Sequence, residues 1–300
     1  MSVEQSVNEY EIGDELRFVE TEHGFRNIEI RNAKARAIIS TYGGQVLSYR
    51  SVTEDEDLLF LSTRARYEVG KAIRGGIPVC WPWFGDDPEG QGRPQHGFAR
   101  NWQWSVTATE ALPGGATKVV LELVDTDETR TIWPHLFRLR IVITVGSSLR
   151  LELVTRNRGE KSLTISQALH AYFRVGDVSR VRVLGLDRVD YVDKIDDFTE
   201  KTQAGAVAVN GEIDRIYTGV AGELVVDDAS FGRKICIGLA GSSTAVVWNP
   251  WAEKAAAMSD LAHDDYKKMI CIEAANAGPE TVEVPAGGEY RLSAEYSVQR

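Results

Sequence analysis

Apolar and polar residues alternate along much of this chain, a pattern that predicts β-strands with one buried face. The alternation is clearest at 118–124, 137–145 and 149–157, and the Gly-Ser-Ser sequence at 146–148 predicts a short hairpin between the last two. Further strands are predicted at 25–30, 35–40, 46–51, 162–175 and 244–249. We therefore expect a structure dominated by β-sheet.

Helical periodicity is sparse by comparison. One or two helical turns are predicted within 62–71, and a short helical segment within 251–269. Strands at this spacing, with turn residues between them, favour an all-β fold, a large antiparallel β-sandwich with a few short helices. The chain has neither internal repeats nor a linker rich in Pro, Gly or Ser. We therefore expect one sandwich domain over 25–300, with residues 1–24 as an N-terminal segment leading into it.

Composition limits the kinds of partner. With 300 residues, 43% of them apolar, the chain can bury a large core. Its 44 acidic and 34 basic residues give a net charge of −10. This balance argues against nucleic acid as the main partner, because binding to phosphate backbones requires clustered Lys and Arg. An anionic small molecule would need a local group of arginines, since the overall field of the protein repels it.

The cysteines and the apolar runs give expectations about compartment. Cys80, Cys236 and Cys271 are widely spaced, with neither a CxxC pair nor a Cys/His spacing typical of a metal site. We expect three buried thiols in a reducing compartment and no bound metal. The start of the chain is acidic and polar, unlike a signal peptide, and no apolar run approaches the roughly 18 residues of a membrane span. The expected location is the cytoplasm, away from the membrane.

The segment 74–104, RGGIPVCWPWFGDDPEGQGRPQHGFARNWQW, has the most unusual composition in the chain. The glycine pair at 75–76 permits backbone conformations closed to other residues, and the prolines stiffen the residues after it. Arg74 and Arg100 are therefore predicted to extend from a rigid frame. The alternative for each arginine is a surface ion pair with one of the many carboxylates.

Four other polar side chains are candidates for chemistry. His170 lies in a strand-like run, as either a core histidine bonded to the backbone or a functional group. Glu273 follows the apolar run MICI, and a buried Glu there must be paired, protonated or functional. Asp214 is either a turn carboxylate beside Arg215 or a ligand-binding group. His96 either binds substrate or caps a turn.

Six runs along the chain, taken in order, resemble the hexose-6-phosphate mutarotases, also called glucose-6-phosphate 1-epimerases. The runs are RGGIPVCWPWFG, PQHGFARNWQW, LHAYF, EIDRIY, VVWNPW and MICIEAAN. These enzymes belong to the aldose 1-epimerase group with its galactose-mutarotase-like β-sandwich. The resemblance extends from about residue 25 to about residue 295. It implies an isomerase that interconverts the α and β anomers of a hexose 6-phosphate, with glucose 6-phosphate as the expected substrate, by acid–base ring opening and reclosure.

The same resemblance implies roles for individual residues. His170 of LHAYF would be the general acid, charged in order to donate, and Glu273 of CIEAAN the ionised general base. The substrate contacts would come from Arg74, Gln95, His96, Arg100 and Asp214. One of the arginines would hold the phosphate, because the planar guanidinium fork binds two oxygens at once.

Two features depart from the family pattern. The loop at 86–94 contains Asp86, Asp87 and Glu89, which we predict to be solvated, and it is more acidic than a phosphate site favours. Ala171 stands where a threonine-like residue is expected, which reshapes the wall beside His170.

Ring opening moves no hydride, so the resemblance implies no cofactor and no metal, a sugar phosphate as the partner, and a monomer. Two alternatives remain open. A mutarotase for unphosphorylated aldoses would use His170, Glu273 and Asp214 but leave the arginines without a role. A non-catalytic carbohydrate-binding sandwich would keep the cleft and lack the chemistry. A glycoside hydrolase fits less well, because it usually needs two carboxylates flanking the scissile bond.

Overall fold

The computed structural model describes residues 8–300 as an all-β structure, as the alternating pattern predicts. The strands are β1 Leu16–Glu20, β2 Arg26–Arg31, β3 Ala35–Ser40, β4 Gln45–Ser51, β5 Val79–Cys80, β6 Ser105–Leu112, β7 Ala116–Val124, β8 Phe137–Val145, β9 Leu149–Asn157, β10 Leu163–Ile165, β11 Gln167–Leu169, β12 Tyr172–Arg174, β13 Val181–Leu184, β14 Asp190–Asp193, β15 Thr199–Thr202, β16 Val207–Ala208, β17 Ile213–Thr218, β18 Leu224–Asp228, β19 Arg233–Ala240, β20 Thr244–Asn249, β21 Met269–Asn276, β22 Val282–Val284 and β23 Glu289–Gln299. The α-helices are α1 Asp127–Ile132 and α2 Trp251–Ala257, and single 3-10 turns lie at Asn8–Tyr10, Ala99–Asn101, Val178–Arg180 and Asp265–Lys268.

One layer of the sandwich is a nine-stranded antiparallel sheet with the order β16-β13-β18-β19-β23-β9-β8-β7-β6. Its strands alternate buried and more exposed residues, so that Leu139, Ile141 and Ile143 of β8 are fully buried while their neighbours face outward. The predicted hairpin at 146–148 is confirmed, with Val145 opposite Leu149 where it closes. This sheet therefore has one face on the core and one in water.

The other layer is an eight-stranded antiparallel sheet with the order β15-β14-β17-β20-β21-β11-β5, in which β12 also pairs with β21. Its central strands β20 and β21 are buried at every position. The even-numbered residues Ile270 and Ile272 join the core shared with the nine-stranded sheet, while Cys271 belongs to a second apolar cluster that includes Ala255 of α2. The outer face of β21 is thus covered as well, and Glu273 lies on it.

The segment at 1–24 that we set apart from the domain contains β1, and residues 1–7 lie outside the part of the chain that the structure describes. The strand β1 pairs with β2 at the edge of a third, four-stranded sheet of order β1-β2-β3-β4. One face of this sheet packs into the common core through Ile28, Ile39 and Val46.

The helical predictions have mixed outcomes. The segment at 251–269 contains α2 and a 3-10 turn, as expected, but the prediction of helical turns at 62–71 is wrong. There the Ser62 hydroxyl accepts the Arg64 backbone N–H at 3.1 Å, a local bond that competes with helix formation. The helix α1 was not predicted, although Thr126 and Thr129 form a reciprocal capping box at its start.

Candidate active site

The glycine-rich start of the segment 74–104 sits where the backbone passes very close to other strands. Gly75 has a φ of 113°, and a Cβ there would lie 2.5 Å from the Phe60 carbonyl oxygen. Gly97 has a φ of 71°, and a Cβ there would lie 2.0 Å from the Trp81 carbonyl oxygen. A side chain at either position would clash with main chain. The special backbone conformation predicted at the glycine pair 75–76 is therefore observed, and glycine is required there.

The aromatic residues of this segment are mainly structural. Trp81 is fully buried, and its indole N–H donates to the Thr155 hydroxyl at 2.9 Å. Trp104 is buried too, and its indole N–H donates to the Ala99 carbonyl at 2.9 Å. Because these rings are buried with their N–H groups satisfied, they hold the frame in place.

His170 is fixed against this frame by main-chain hydrogen bonds. It follows β11, and its backbone N–H donates to the Pro78 carbonyl at 3.0 Å. The Tyr172 N–H donates to the Gly76 carbonyl at 2.9 Å. The imidazole stacks on the Tyr172 ring with 4.7 Å between ring centroids, and the residue is only 7% exposed. The side chain is therefore held in one orientation.

Glu273, from the middle of β21, is the immediate partner of His170. The distance between His170 Nε2 and Glu273 Oε1 is 3.4 Å, and Glu273 is 1% exposed. Two buried atoms of this pair, His170 Nδ1 and Glu273 Oε2, have no hydrogen-bond partner in residues 8–300. Buried polar atoms in proteins are normally paired, so these two atoms leave hydrogen-bonding capacity of the pair unmet.

The surroundings of the pair disfavour both the imidazolium form of His170 and the carboxylate form of Glu273. Burial lowers the pKa of His170, and the positive charges of Arg100 and Arg74 lower it further. Burial also raises the pKa of Glu273, and the negative charge of Asp214 raises it further. Both shifts favour a single proton on Glu273 beside a neutral His170, which is the reverse of the charge states that the resemblance implies.

Asp214 lies on β17, on the same outer face of the eight-stranded sheet as Glu273. It is opposite Trp248 of β20, and it is 9% exposed, so it is a buried strand residue and not a turn carboxylate. Its carboxylate forms an ion pair with Lys194 Nζ at 2.9 Å. Arg215, its neighbour in sequence, packs over the Tyr191 ring and lies 3.8 Å from the Asp193 carboxylate.

The guanidinium of Arg74 is already engaged. Its Nε and Nη2 lie 3.1 and 3.0 Å from Oδ2 of Asp260, and its Nη1 donates to the Tyr172 hydroxyl at 2.8 Å. Arg74 thus orients Tyr172, on which His170 stacks, and Asp260 compensates its charge.

Of the two arginines at the candidate site, Arg100 is the one without a carboxylate partner among the described residues. It lies in the 3-10 turn at Ala99–Asn101, and its Nη2 donates to the Gln95 carbonyl at 2.8 Å. Its Nε is buried without a partner, and none of the described carboxylates comes within 4.0 Å of it. The side chain of Gln95 itself is exposed and donates to Asp86 at 3.0 Å, so only its main chain supports Arg100.

His96 caps a turn, one of its two predicted roles, and also lies beside His170. It has a φ of 64°, unusual for a residue with a side chain, and its N–H donates to the Gly85 carbonyl at 2.7 Å. Its Nδ1 accepts the Gly85 N–H at 3.2 Å, which closes the turn. Its ring lies edge-on to the His170 ring, with 5.9 Å between centroids. Burial lowers the pKa of His96, which favours the neutral ring with its proton on Nε2.

The acidic loop at 86–94 is only partly solvated, contrary to the prediction. Asp86 and Glu89 are exposed, but the carboxylate of Asp87 is bound by Arg93, which lies over the Trp83 ring at 4.4 Å. Hydrogen bonds from Arg93 hold the pKa of Asp87 well below its usual range. The internal ion pair removes much of the acidity that argued against a phosphate site.

Two site residues were missed by the sequence analysis. Lys194 was overlooked because it lies in a mixed run of charges, and Asp260 because nothing in its surroundings distinguishes it. Both act as ion-pair partners of predicted residues. Within residues 8–300, no three His, Cys, Asp or Glu side chains cluster as a metal site would require, and no helix there has the length and apolar character to cross a bilayer.

Comparison with known sequences gives one family. The sequence profile of the aldose 1-epimerase family matches residues 26–297. A protein of Cenchrus ciliaris named "Putative glucose-6-phosphate 1-epimerase" is 37% identical over 285 residues, which cover 91% of this chain and 84% of that protein. A protein of the same name from Escherichia coli K12 is 36% identical over 259 residues, with 86% and 85% coverage.

Comparison with solved structures gives the same fold. The crystal structure of "a putative mutarotase" from Salmonella typhimurium matches with a TM-score of 0.90 and 29% identity, over 97% of this chain and 96% of that one. A galactose mutarotase-like protein from Lactobacillus casei matches with a TM-score of 0.72 over 91% of this chain and 100% of that one. At 15% identity the second match supports the fold alone. The galactose-mutarotase-like sandwich is thus confirmed.

Proposed function

Because the chain belongs to the aldose 1-epimerase family, we propose that it interconverts the α and β anomers of a hexose 6-phosphate, with glucose 6-phosphate as the main substrate. The names of its relatives support this substrate. The observation that carries the proposal is the buried His170–Glu273 pair, 3.4 Å apart, with the uncompensated cation of Arg100 close enough to lower the pKa of His170.

The chemistry needs one acid and one base side by side. The Glu273 carboxylate takes the proton of the C1 hydroxyl while His170 Nε2–H protonates the ring oxygen, so the C1–O5 bond breaks and a free aldehyde forms. Rotation about C1–C2 presents the other aldehyde face to the C5 hydroxyl. Closure then returns both protons and gives the other anomer. Each positioned proton transfer contributes roughly 10²- to 10⁴-fold in rate.

The single proton on the pair suits this cycle. Ring opening consumes one proton from the acid and delivers one to the base, so the total carried by His170 and Glu273 does not change. With one proton, the pair is either neutral or a compensated ion pair, whereas a gained or lost proton would leave a buried charge without a partner.

Arg100 is the proposed phosphate contact. Arg74 is committed to Asp260 and Tyr172, and the charge of Lys194 is shared with Asp214, whereas Arg100 has no carboxylate within ion-pair distance among the described residues. In a chain of net charge −10, such a cation near the catalytic pair has an evident use in holding an anionic substrate group. A mutarotase for neutral sugars would leave it without a role.

The compartment and the oligomeric state belong to the same proposal. All three cysteines are free and buried, which supports the reducing environment of the cytoplasm. The fold of a single chain brings the catalytic pair and Asp214 together, which is compatible with the monomer that the resemblance implies.

NMR exchange spectroscopy on the anomers of glucose 6-phosphate tests the proposal, with glucose as a parallel substrate. We expect fast exchange for the phosphate ester, little for glucose, and loss of exchange in His170→Ala. His263→Ala, at an exposed histidine, is the matched control and should exchange at the wild-type rate. Equal rates for both sugars would remove the phosphate from the proposal. Absence of acceleration for either sugar would leave a carbohydrate-binding protein as the better explanation.

A further inference from the structure

Three arginines form a row across the four-stranded sheet, whereas the catalytic pair belongs to the eight-stranded sheet. In the pairing register, Arg36 of β3 lies directly opposite Arg31 of β2 on one side and Arg50 of β4 on the other. The flanking residues Ala35 and Ala37 are buried, so the arginines project from the outer face of the sheet. Like charges directly opposite each other in a sheet are unfavourable, and here the arrangement occurs twice in succession.

The row is poorly compensated within residues 8–300. Neither Arg31 nor Arg36 has a described carboxylate within 4.0 Å, and Arg50 donates only to the main-chain carbonyl of Asp55, at 3.1 Å. Another cation on this face, Arg17, is paired with Glu29 at 2.6 Å. In a protein with ten more acidic than basic residues, three adjacent arginines without acidic partners require a reason.

The row lines a concavity of about 730 Å³ on this face, and the floor of the concavity includes Ile38 and Ser48. Three carboxyl groups also line it, and one of them, Glu29, is the ion-pair partner of Arg17. Asp57 is turned to the protein, since it accepts hydrogen bonds from the Ser48 hydroxyl and from the Tyr49 and Leu59 N–H groups. Asp14 is exposed at the edge and has no ion pair among the described residues. The volume is in the range of small-molecule sites.

The distance between the arginines indicates which kind of anion could contact all three. Adjacent strands lie about 4.8 Å apart, so the row from Arg31 to Arg50 spans roughly 10 Å at the backbone. One phosphate group can engage two neighbouring guanidinium forks, whereas an anion with two or more linked phosphoryl groups can engage all three. From the row, its lack of partners and the concavity, we propose a second ligand site here, for a small molecule carrying two or more phosphoryl groups. The site is separate from the epimerase centre and does not depend on the function proposed for it.

Isothermal titration with pyrophosphate, and in parallel with orthophosphate, tests this site. We expect pyrophosphate to bind at least about tenfold more tightly than orthophosphate, because it engages more of the row. Arg36→Gln removes the central arginine and should weaken pyrophosphate binding by about tenfold or more. Arg36→Lys retains the charge without the fork and should be intermediate. Arg188→Gln, at a strongly exposed arginine elsewhere, is the matched control and should bind like the wild type.

Arg100→Gln distinguishes this site from the active site. If pyrophosphate binding persists in Arg100→Gln and is lost in Arg36→Gln, the proposal is supported. Loss in Arg100→Gln with retention in Arg36→Gln would overturn it, because the probe would then occupy the epimerase centre. Equal binding of both anions, or no binding at millimolar concentrations, would also overturn it. Since the Arg36→Gln change relieves like-charge repulsion, the unliganded variant should melt no lower than the wild type.

Discussion

The two large sheets of the sandwich are both antiparallel, but the side chains on their outer faces differ in solvent exposure. In the nine-stranded sheet the outward side chains form ion pairs in water, such as Arg138 with Glu122 at 3.2 Å and Arg150 with Glu295 at 3.5 Å. In the eight-stranded sheet the central strand β21 is buried along its whole length, so its outward Glu273 is enclosed. Enclosure raises the pKa of Glu273, an effect that a water-facing carboxylate escapes.

Burial alone does not make a polar residue functional, as a second comparison within the eight-stranded sheet shows. Asn249, at the end of β20, is fully buried, and its amide donates to the Tyr266 and Met269 carbonyls at 2.9 and 2.8 Å. Its oxygen accepts the Trp251 N–H at 2.9 Å, so it is satisfied and structural. Glu273 and His170 each retain a buried polar atom without a partner. Unmet hydrogen-bonding capacity therefore separates this pair from Asn249, although single buried atoms elsewhere, such as the Tyr296 hydroxyl, also lack a partner among the described residues.

Replacing Glu273 with Gln should give the largest effect, because it removes the proposed base while keeping the size of the side chain. We expect kcat/KM for glucose 6-phosphate to fall by roughly 10²- to 10⁴-fold, measured by NMR exchange between the anomers. Glu295→Gln makes the same chemical change on the outer face of the nine-stranded sheet and should leave the rate unchanged. Similar losses in both variants would mean that the two sheets do not differ as argued.

Replacing Arg100 with Gln should give the next largest effect. A hydrogen-bonded ion pair with phosphate contributes about 1.5–3 kcal/mol, so KM for glucose 6-phosphate should rise by roughly tenfold or more. The slow exchange of glucose should change much less, only through the raised pKa of His170, since glucose lacks the phosphate. Arg188→Gln, at an exposed arginine, should behave like the wild type for both sugars. A parallel loss with glucose would show that Arg100 acts on the catalytic pair and not on the phosphate.

The pH dependence should separate the two titrations of the catalytic pair. In the wild type, kcat/KM should decrease at low pH, where the pair gains a second proton, and at high pH, where it loses its only one. In Glu273→Gln the first titration is absent, so the residual rate should decrease only as the pH rises. Burial lowers the pKa of His170, so the midpoint of this decrease should lie below 6.5. An acidic limb that persists in the variant would assign it to another group.

Truncating the shared core should have the smallest effect on catalysis. Ile143 of the nine-stranded sheet and Ile272 of the eight-stranded sheet are both fully buried in the same apolar cluster. Each Ile→Val change should reduce the free energy of unfolding by about 0.5–1.5 kcal/mol, measured by urea denaturation. Only Ile272→Val, next to Glu273, should also lower kcat/KM. If Ile143→Val lowers it equally, the site depends on both layers and the contrast between the sheets fails.

Strand prediction succeeded where one face of a strand meets the core and the other meets water. The strands β7, β8 and β9 agree with the alternation in the sequence, because burial there repeats every second residue, except at Val154 of β9, which is buried together with its neighbours. This contrast did not decide every case, because β13 and β18 alternate and were not predicted, whereas β20 is buried at every position and was predicted. The strand β15, Thr199–Thr202, has no buried residue, so it lacks any hydrophobic signal. The separation of residues 1–24 from the domain stays a prediction, although β1 within it pairs with β2.

The amino-acid sequence alone was enough to predict the all-β class, the hairpin at 146–148 and the choice of His170 and Glu273 as candidates, since periodicity and local motifs are properties of neighbouring residues. Which of the two site arginines lacks a carboxylate partner could be learned only from the folded chain. Arg74 is paired with Asp260, 186 residues further along the chain, whereas Arg100 meets no described carboxylate. Charge compensation falls steeply with distance in space and is independent of distance in sequence, so it is fixed only when the chain has folded.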